Sequence, residues 1–288
     1  MNRNPFSTQS HNLRPFPYRQ DGLIDSSSNS LQTISSANLV KKEVAPPIAV
    51  VEGIIPQGVT LFGASSKHRR PWLVDLAVSV STGRAFLSRM TMQTGVVFLS
   101  NEEPTLFETY MRKTIGDRKL PENLFILPIT TKLHKDLLWE ISNAIRGVST
   151  SIGLIILDNL REDSSETKRA GNAIPYSTNN IWDLVHFAEE NQLCCVLTHR
   201  LTKGDDKGDP VNRIFGPPSI AEAADTIITL TPSKCGEDET KMFITGRDVI
   251  ERTLVVKMDW SNYRWIYLGD ERDVKRDWEE YEFKTILS

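Results

Sequence analysis

The residues best suited to chemistry fall in two short stretches. The first is Gly63-Ala64-Ser65-Ser66-Lys67-His68-Arg69-Arg70-Pro71, set between the apolar run Val59–Phe62 and the helical-period segment Trp72–Thr82. A basic cluster just before a helix N-terminus can hold an anion, because backbone N–H groups, the helix dipole and the cations act on it together. The competing reading is a solvated basic turn. The second stretch is the apolar run Gly153–Leu157 closed by Asp158. A carboxylate at a strand end suits Mg²⁺, whereas a lone Asp there is equally a helix cap or turn residue.

The elements that must position these groups read as alternating strands and helices. Short apolar runs at Val59–Phe62, Gly95–Ser100, Leu124–Pro128, Gly153–Leu157, Cys194–Leu197, Thr226–Leu230, Lys241–Thr245 and Thr253–Met258 predict strands. Several are apolar throughout, which implies burial on both faces of a mainly parallel sheet. Trp72–Thr82, Leu106–Ile115, Lys135–Val148 and Asn179–Glu190 have the length and period of the covering helices. The last three strands lack long helices between them and predict an antiparallel extension at one edge.

The ends of the chain read differently. Residues 1–47 are rich in Ser and Asn, with Pro5, Pro15 and Pro17 and no sustained period, and are expected to be a disordered arm. Its aromatics, Phe6, Phe16 and Tyr18, leave a docking peptide as the other reading. Residues 48–268 form the expected core. Residues 269–288 are expected to form a short amphipathic helix with Val274, Trp278 and Tyr281 at helical spacing.

Composition narrows the class. No run approaches the length of a membrane span, and the polar start lacks the apolar core of a secretory signal, so no membrane role and a cytoplasmic location are expected. The three cysteines, Cys194, Cys195 and Cys235, offer neither a disulfide framework nor paired zinc spacing. With 34 Lys+Arg against 37 Asp+Glu, any nucleic-acid contact must come from local basic loops.

Taken in order, the pieces carry a resemblance. They are Gly58-Val59-Thr60-Leu61-Phe62-Gly63, Trp72-Leu73, Thr82-Gly83-Arg84, Val97–Pro104 with Asn101-Glu102-Glu103, Gly153–Asp158, Leu197–Gly204, Gly216–Asp225 and Gly246-Arg247-Asp248. This order resembles the RepA-like branch of the RecA-fold P-loop ATPases, which includes hexameric plasmid-replication helicases and ATPases of phages and mobile elements. The likeness covers about residues 54–268. It implies an α/β RecA-like P-loop core, with ATP and Mg²⁺ bound where Gly63 to Pro71 meet Asp158.

The P-loop pattern G-x-x-x-x-G-K-[ST] is damaged here. Anchored on Trp72-Leu73, its glycines fall on Ala64 and Arg69, its lysine on Arg70 and its hydroxyl on Pro71. Anchored on Gly63, the positions are Gly63, His68, Arg69 and Arg70. Neither register restores it. Proline has no hydroxyl for a metal and no N–H for a phosphate, and arginine lacks the compact ammonium of lysine. ATP and Mg²⁺ binding is therefore expected to be weakened or lost.

The resemblance assigns further roles. Glu102 would activate the attacking water, with a helix-start carboxylate as its alternative; His199, beside Arg200, would sense the γ-phosphate or simply close a strand. Arg247 would act as an arginine finger in a neighbouring subunit, or pair on its own surface. Lys168 and Arg169 in the loop Arg161–Gly171, Lys203 and Lys207 in Thr202–Pro210, and Arg213 would touch single-stranded DNA in a central channel, although these loops also carry many acids. The leading expectation is a degenerate homologue, impaired in hydrolysis, that binds nucleotide or DNA or assembles as a homo-oligomeric ring or with an intact ATPase relative, in replication or maintenance of a mobile element. An active divergent ATPase or helicase, and a RecA-fold interaction module without nucleotide, are the alternatives.

Overall fold

The computed structural model describes residues 48–101, 103–128, 135–158, 177–202, 208–215, 217–233 and 239–276. A small ribbon, β1 (Ala49–Val51) with β2 (Ile55–Pro56), leads into β3 (Gly58–Gly63) and α1 (Ser66–Thr82). There follow β4 (Gly95–Ser100), α2 (Pro104–Ile115), β5 (Leu124–Pro128), α3 (Lys135–Arg146), β6 (Ile152–Asp158), α4 (Thr178–Asn191) and β7 (Cys194–His199). The chain closes with α5 (Pro218–Glu222), β8 (Thr226–Pro232), β9 (Glu239–Gly246), β10 (Arg252–Asp259) and β11 (Arg264–Asp270).

The main sheet has nine strands in the order β11-β10-β9-β8-β3-β7-β6-β4-β5. The six from β8 to β5 run parallel. All six residues of β3, β4 and β7 and all seven of β6 are buried, as the unbroken apolar runs require of strands covered on both faces. One apolar cluster joins α1 and α2 to one face, through Trp72, Leu76 and Phe107 against Phe62 and Phe98. The other joins α3, α4 and α5 to the opposite face, through Leu138, Leu184 and Ile220 against Leu61 and Ile155. The architecture is the α/β core expected from the sequence, with helices on both sides of a mostly parallel sheet.

Two expectations need correction. Residues 226–230 do not open the antiparallel extension, because β8 pairs parallel to β3 and the reversal starts with β9. The extension is completed by β11, which the sequence reading omitted and which pairs antiparallel with β10. β11 ends at Asp270 and residues 271–276 are helical. The expected arm, and Trp278 and Tyr281 of the tail, lie outside the described residues.

Two buried carboxylates tie the extension to the parallel core. Asp75, in the middle of α1, accepts a hydrogen bond from the Trp265 backbone N–H at 2.8 Å and one from Arg84 at 3.1 Å, with Arg264 at an ionic distance of 3.4 Å. Asp225 accepts from the Val59 N–H at 2.8 Å at the start of β3, and its other oxygen contacts the Arg247 guanidinium. Two glycines make room for it: a Cβ on Gly58, whose φ is +100°, would stand 2.3 Å from an Asp225 carboxylate oxygen, and one on Gly246 would stand 2.4 Å from the Asp225 carbonyl oxygen. Gly246→Ala therefore costs about 1–3 kcal/mol through overpacking against backbone, read as a lowered denaturant midpoint. Gly208→Ala, with no described atom within 4 Å of the added carbon, is the control and stays within about 0.5 kcal/mol of the parent.

Candidate functional site

In parallel α/β sheets the strand ends at the carboxyl edge are where ligands collect. Strand register brings Gly63 of β3 level with His199 of β7, Leu157 level with Leu197, and Ser100 of β4 level with Asp158. Asp158 and Gly63 thus sit on the same edge, separated by one intervening strand. The turn after Gly63 and the carboxylate of β6 are brought together, as the sequence pattern implies.

The turn itself is shorter than the sequence suggests. Only Ala64 and Ser65 separate β3 from α1, and Ser66-Lys67-His68-Arg69-Arg70-Pro71 are already helical. Ser65 is the N-cap residue, and its carbonyl accepts the His68 and Arg69 N–H groups at 3.0 and 2.8 Å. Without glycine after Gly63, the basic residues have ordinary helix propensity, so the chain winds directly into the helix. Pro71 lies inside α1 and cannot donate to the Lys67 carbonyl. Stacking of Phe62 on Trp72, with ring centroids 4.1 Å apart, holds α1 against β3 at this point.

The helical winding decides where each cation goes. Arg69 turns toward the sheet edge, and its Nε lies 2.8 Å from Asp158 Oδ1, an ionic contact without hydrogen-bond alignment. Asp158 is 1% exposed. Burial pushes its carboxyl above the ordinary value; Arg69, a hydrogen bond from Thr198 and then Arg70 pull it back in part. Arg70 leans instead on α2, donating to the Tyr110 hydroxyl at 3.1 Å with its guanidinium 5.2 Å from the ring centre. Lys67 lies 5.3 Å over Trp260, and His68 meets the edge of Trp265. Burial, then the Lys67 charge, lowers the His68 pKa, which favours the neutral ring.

A sequence pattern common to the AAA domain family matches residues 27–206, more than half of the chain. The chain belongs to that family. No curated protein matches it. The AAA domain is a P-loop ATPase domain, and the match covers β3, α1 and β6 and stops before the antiparallel extension. Membership points to nucleotide and Mg²⁺ as the ligands of the family. No described helix is long and apolar enough to cross a membrane.

The remaining expected residues are distributed as follows. His199 is buried and hydrogen-bonded through Nε2 to the Phe215 carbonyl at 2.6 Å; burial lowers its pKa, so the neutral ring ties the end of β7 to the stretch just ahead of α5. The Arg200 guanidinium lies 5.4 Å over the Phe215 ring. Arg213 donates to the Thr202 carbonyl at 3.2 Å, and Thr202 N–H donates to the Arg213 carbonyl, which closes the neck of the 203–212 segment. Arg247 pairs with Asp225 at the opposite end of β3, with Glu189 3.7 Å away. Glu103 is the N-cap residue of α2, without a side-chain cap bond. Glu102, Lys168, Arg169, Lys203 and Lys207 lie outside the described residues.

Sequence reasoning missed the aromatic partners of the cations: Tyr110 on α2, and Trp260, Tyr263 and Trp265 on the β10–β11 hairpin. A signal for the hairpin was present in Asp259-Trp260-Ser261-Asn262, where the Asp259 carboxylate accepts the Ser261 and Asn262 N–H groups and closes the turn.

Removing Arg69 leaves the Asp158 charge buried without its main partner. Arg69→Ala is expected to cost about 3 kcal/mol, the lower end for a buried pair because Arg69 reaches solvent on one side. The double variant Arg69→Ala/Asp158→Asn regains most of it. A carboxyl raised by folding favours the folded state most at acid pH and loses that advantage as pH rises through the raised value. The Arg69→Ala deficit in a pH series of denaturation curves therefore narrows as pH falls toward the ordinary carboxylate range.

Proposed function

We propose that this chain is a RepA-like member of the P-loop ATPases in which the phosphate turn has become an internal ion pair. It binds nucleotide or DNA, or assembles with its own copies or an intact relative, without turning ATP over. Its setting is the replication or maintenance of a plasmid, phage or other mobile element, as the order of its motifs suggests.

One observation carries the loss of hydrolysis: the Arg69 guanidinium lies against Asp158, where a metal-binding carboxylate would face Mg²⁺. The donor set at this edge does not fit the ion. One Asp158 oxygen is held by Arg69, Thr198 hydrogen-bonds to the same carboxylate, and the position expected to supply a hydroxyl is Pro71. The two-residue turn has no glycine beyond Gly63, and its backbone enters a helix where a phosphate cradle would need four free residues. Losing one well-placed electrostatic group in a catalytic site costs about 2.7–4 kcal/mol of transition-state stabilisation, and here the lysine, hydroxyl and glycine are replaced together.

With ATP and Mg²⁺, phosphate release by the full chain is expected to match the protein-free background, and Asp158→Asn is expected to leave it unchanged. ATP titration is expected to yield the same affinity in Mg²⁺ and in EDTA. A wild-type rate that Asp158→Asn abolishes would assign the chain to the active ATPases instead.

A further inference from the structure

We infer that the β10–β11 turn, with the first turn of α1 and the outer face of α2, forms a binding surface for single-stranded nucleic acid, where bases stack on Trp260 and phosphates meet Lys67, Lys113 and Arg118. This deepens the DNA-binding half of the proposal above by placing the contact away from the loops at 161–171 and 202–210. It does not require that the phosphate turn be inactive.

Three observations converge on this surface. The first is its aromatic density: Tyr110 and Tyr263 stack with centroids 5.1 Å apart, Trp260 meets Tyr263 edge-on at 6.0 Å, and Trp260 is 40% exposed. The second is that each outer ring face carries a cation: Lys67 over Trp260 at 5.3 Å, Arg70 over Tyr110 at 5.2 Å and Lys113 over Tyr263 at 5.0 Å. The third is a cavity of about 590 Å³ beside the rings, lined among others by Lys113, Arg118, Asn262, Arg264 and Trp265. Asp259 is the acid in its lining, and its oxygens are engaged by the Ser261 and Asn262 N–H groups and the Asn262 amide. Lys113 lines the cavity and lies over Tyr263, and so joins the two.

Chemistry selects the occupant. Cations lying on aromatic faces in a chain of net charge −3 call for a ligand that carries negative charge and flat rings together. A base stacked on tryptophan outweighs an exposed lysine–indole contact. An incoming base therefore displaces the Lys67 ammonium from Trp260, and the ammonium then meets the adjoining phosphate. Duplex DNA hides its base faces, and an acidic peptide offers charge with few rings, so neither uses both halves of the surface.

The test is fluorescence anisotropy of the full chain with labelled twenty-residue oligothymidine across a salt series, with the matching duplex and polyglutamate as competitors. Single strands are expected to bind more tightly than either competitor. Trp260→Ala is expected to weaken binding about tenfold and Trp260→Phe to retain most of it. Lys67→Gln and Lys113→Gln are each expected to lower the slope of log affinity against log salt by about 0.7. Absence of binding, equal competition by duplex or polyglutamate, or an affinity untouched by Trp260→Ala overturns the assignment. Loss through Arg213→Gln with Trp260→Ala silent overturns this surface while keeping DNA binding at the loops, and the ATP measurements are unaffected either way.

Discussion

A carboxylate buried at the end of a parallel strand needs a positive partner, and meeting that need shapes this end of the molecule. Taking a carboxylate out of water costs several kcal/mol unless a counter-charge and hydrogen bonds are supplied. In P-loop ATPases a metal ion supplies that charge when nucleotide binds. Here Arg69 supplies it from within the chain, and Thr198 adds a hydrogen bond. The partner is always present, so the site is neutralised by the fold itself. Arg69 reaches Asp158 from the first turn of α1, which begins at Ser66.

The motif residues away from the turn have a structural role of their own. Arg84 pairs with the buried Asp75, which also receives Arg264 and the Trp265 N–H from the far hairpin. Gly58, Asp225, Gly246 and Arg247 form a second junction, where two missing Cβ atoms let one carboxylate bridge the start of β3 and the end of β9. These residues fix strand to helix and core to extension. Their demands come from packing and charge burial, which persist whether or not ATP is cleaved. The cations of the turn are held by other partners, Arg69 by Asp158, Arg70 by Tyr110 and Lys67 by Trp260.

The same distinction explains what could be read from the sequence. The eight strands expected from apolar runs are all present; in β3, β4, β6 and β7 double-sided burial writes itself as an unbroken apolar string. β11 escaped notice because Arg264-Trp265-Ile266-Tyr267-Leu268 mixes exposed and buried apolar side chains at a sheet edge, where periodicity is weak. The placing of Gly63 and Asp158 on one sheet edge was legible from motif order. The path of the turn was not: Ala64 to Pro71 reads as a loop by analogy, and the absence of glycine, which allows it to wind into helix, acts through propensity alone. The aromatic partners were beyond local reading, since Tyr110 and Tyr263 are far apart in the chain and meet only through tertiary packing.

Helix geometry also explains why two adjacent arginines do not converge on one phosphate. Neighbours on a helix point about a third of a turn apart, whereas residues three apart share a face. Arg69 and Arg70 therefore diverge, one to the sheet edge at Asp158 and the other to Tyr110 on α2. Lys67 and Arg70 share the face turned to the aromatic side chains, over Trp260 and Tyr110. A phosphate grip needs its cation on the first helical residue with free backbone N–H groups ahead of it. Once those residues are wound into α1, each cation is carried to the partner that its helical position dictates. The positive charge of the turn survives, divided between an internal carboxylate and an aromatic surface.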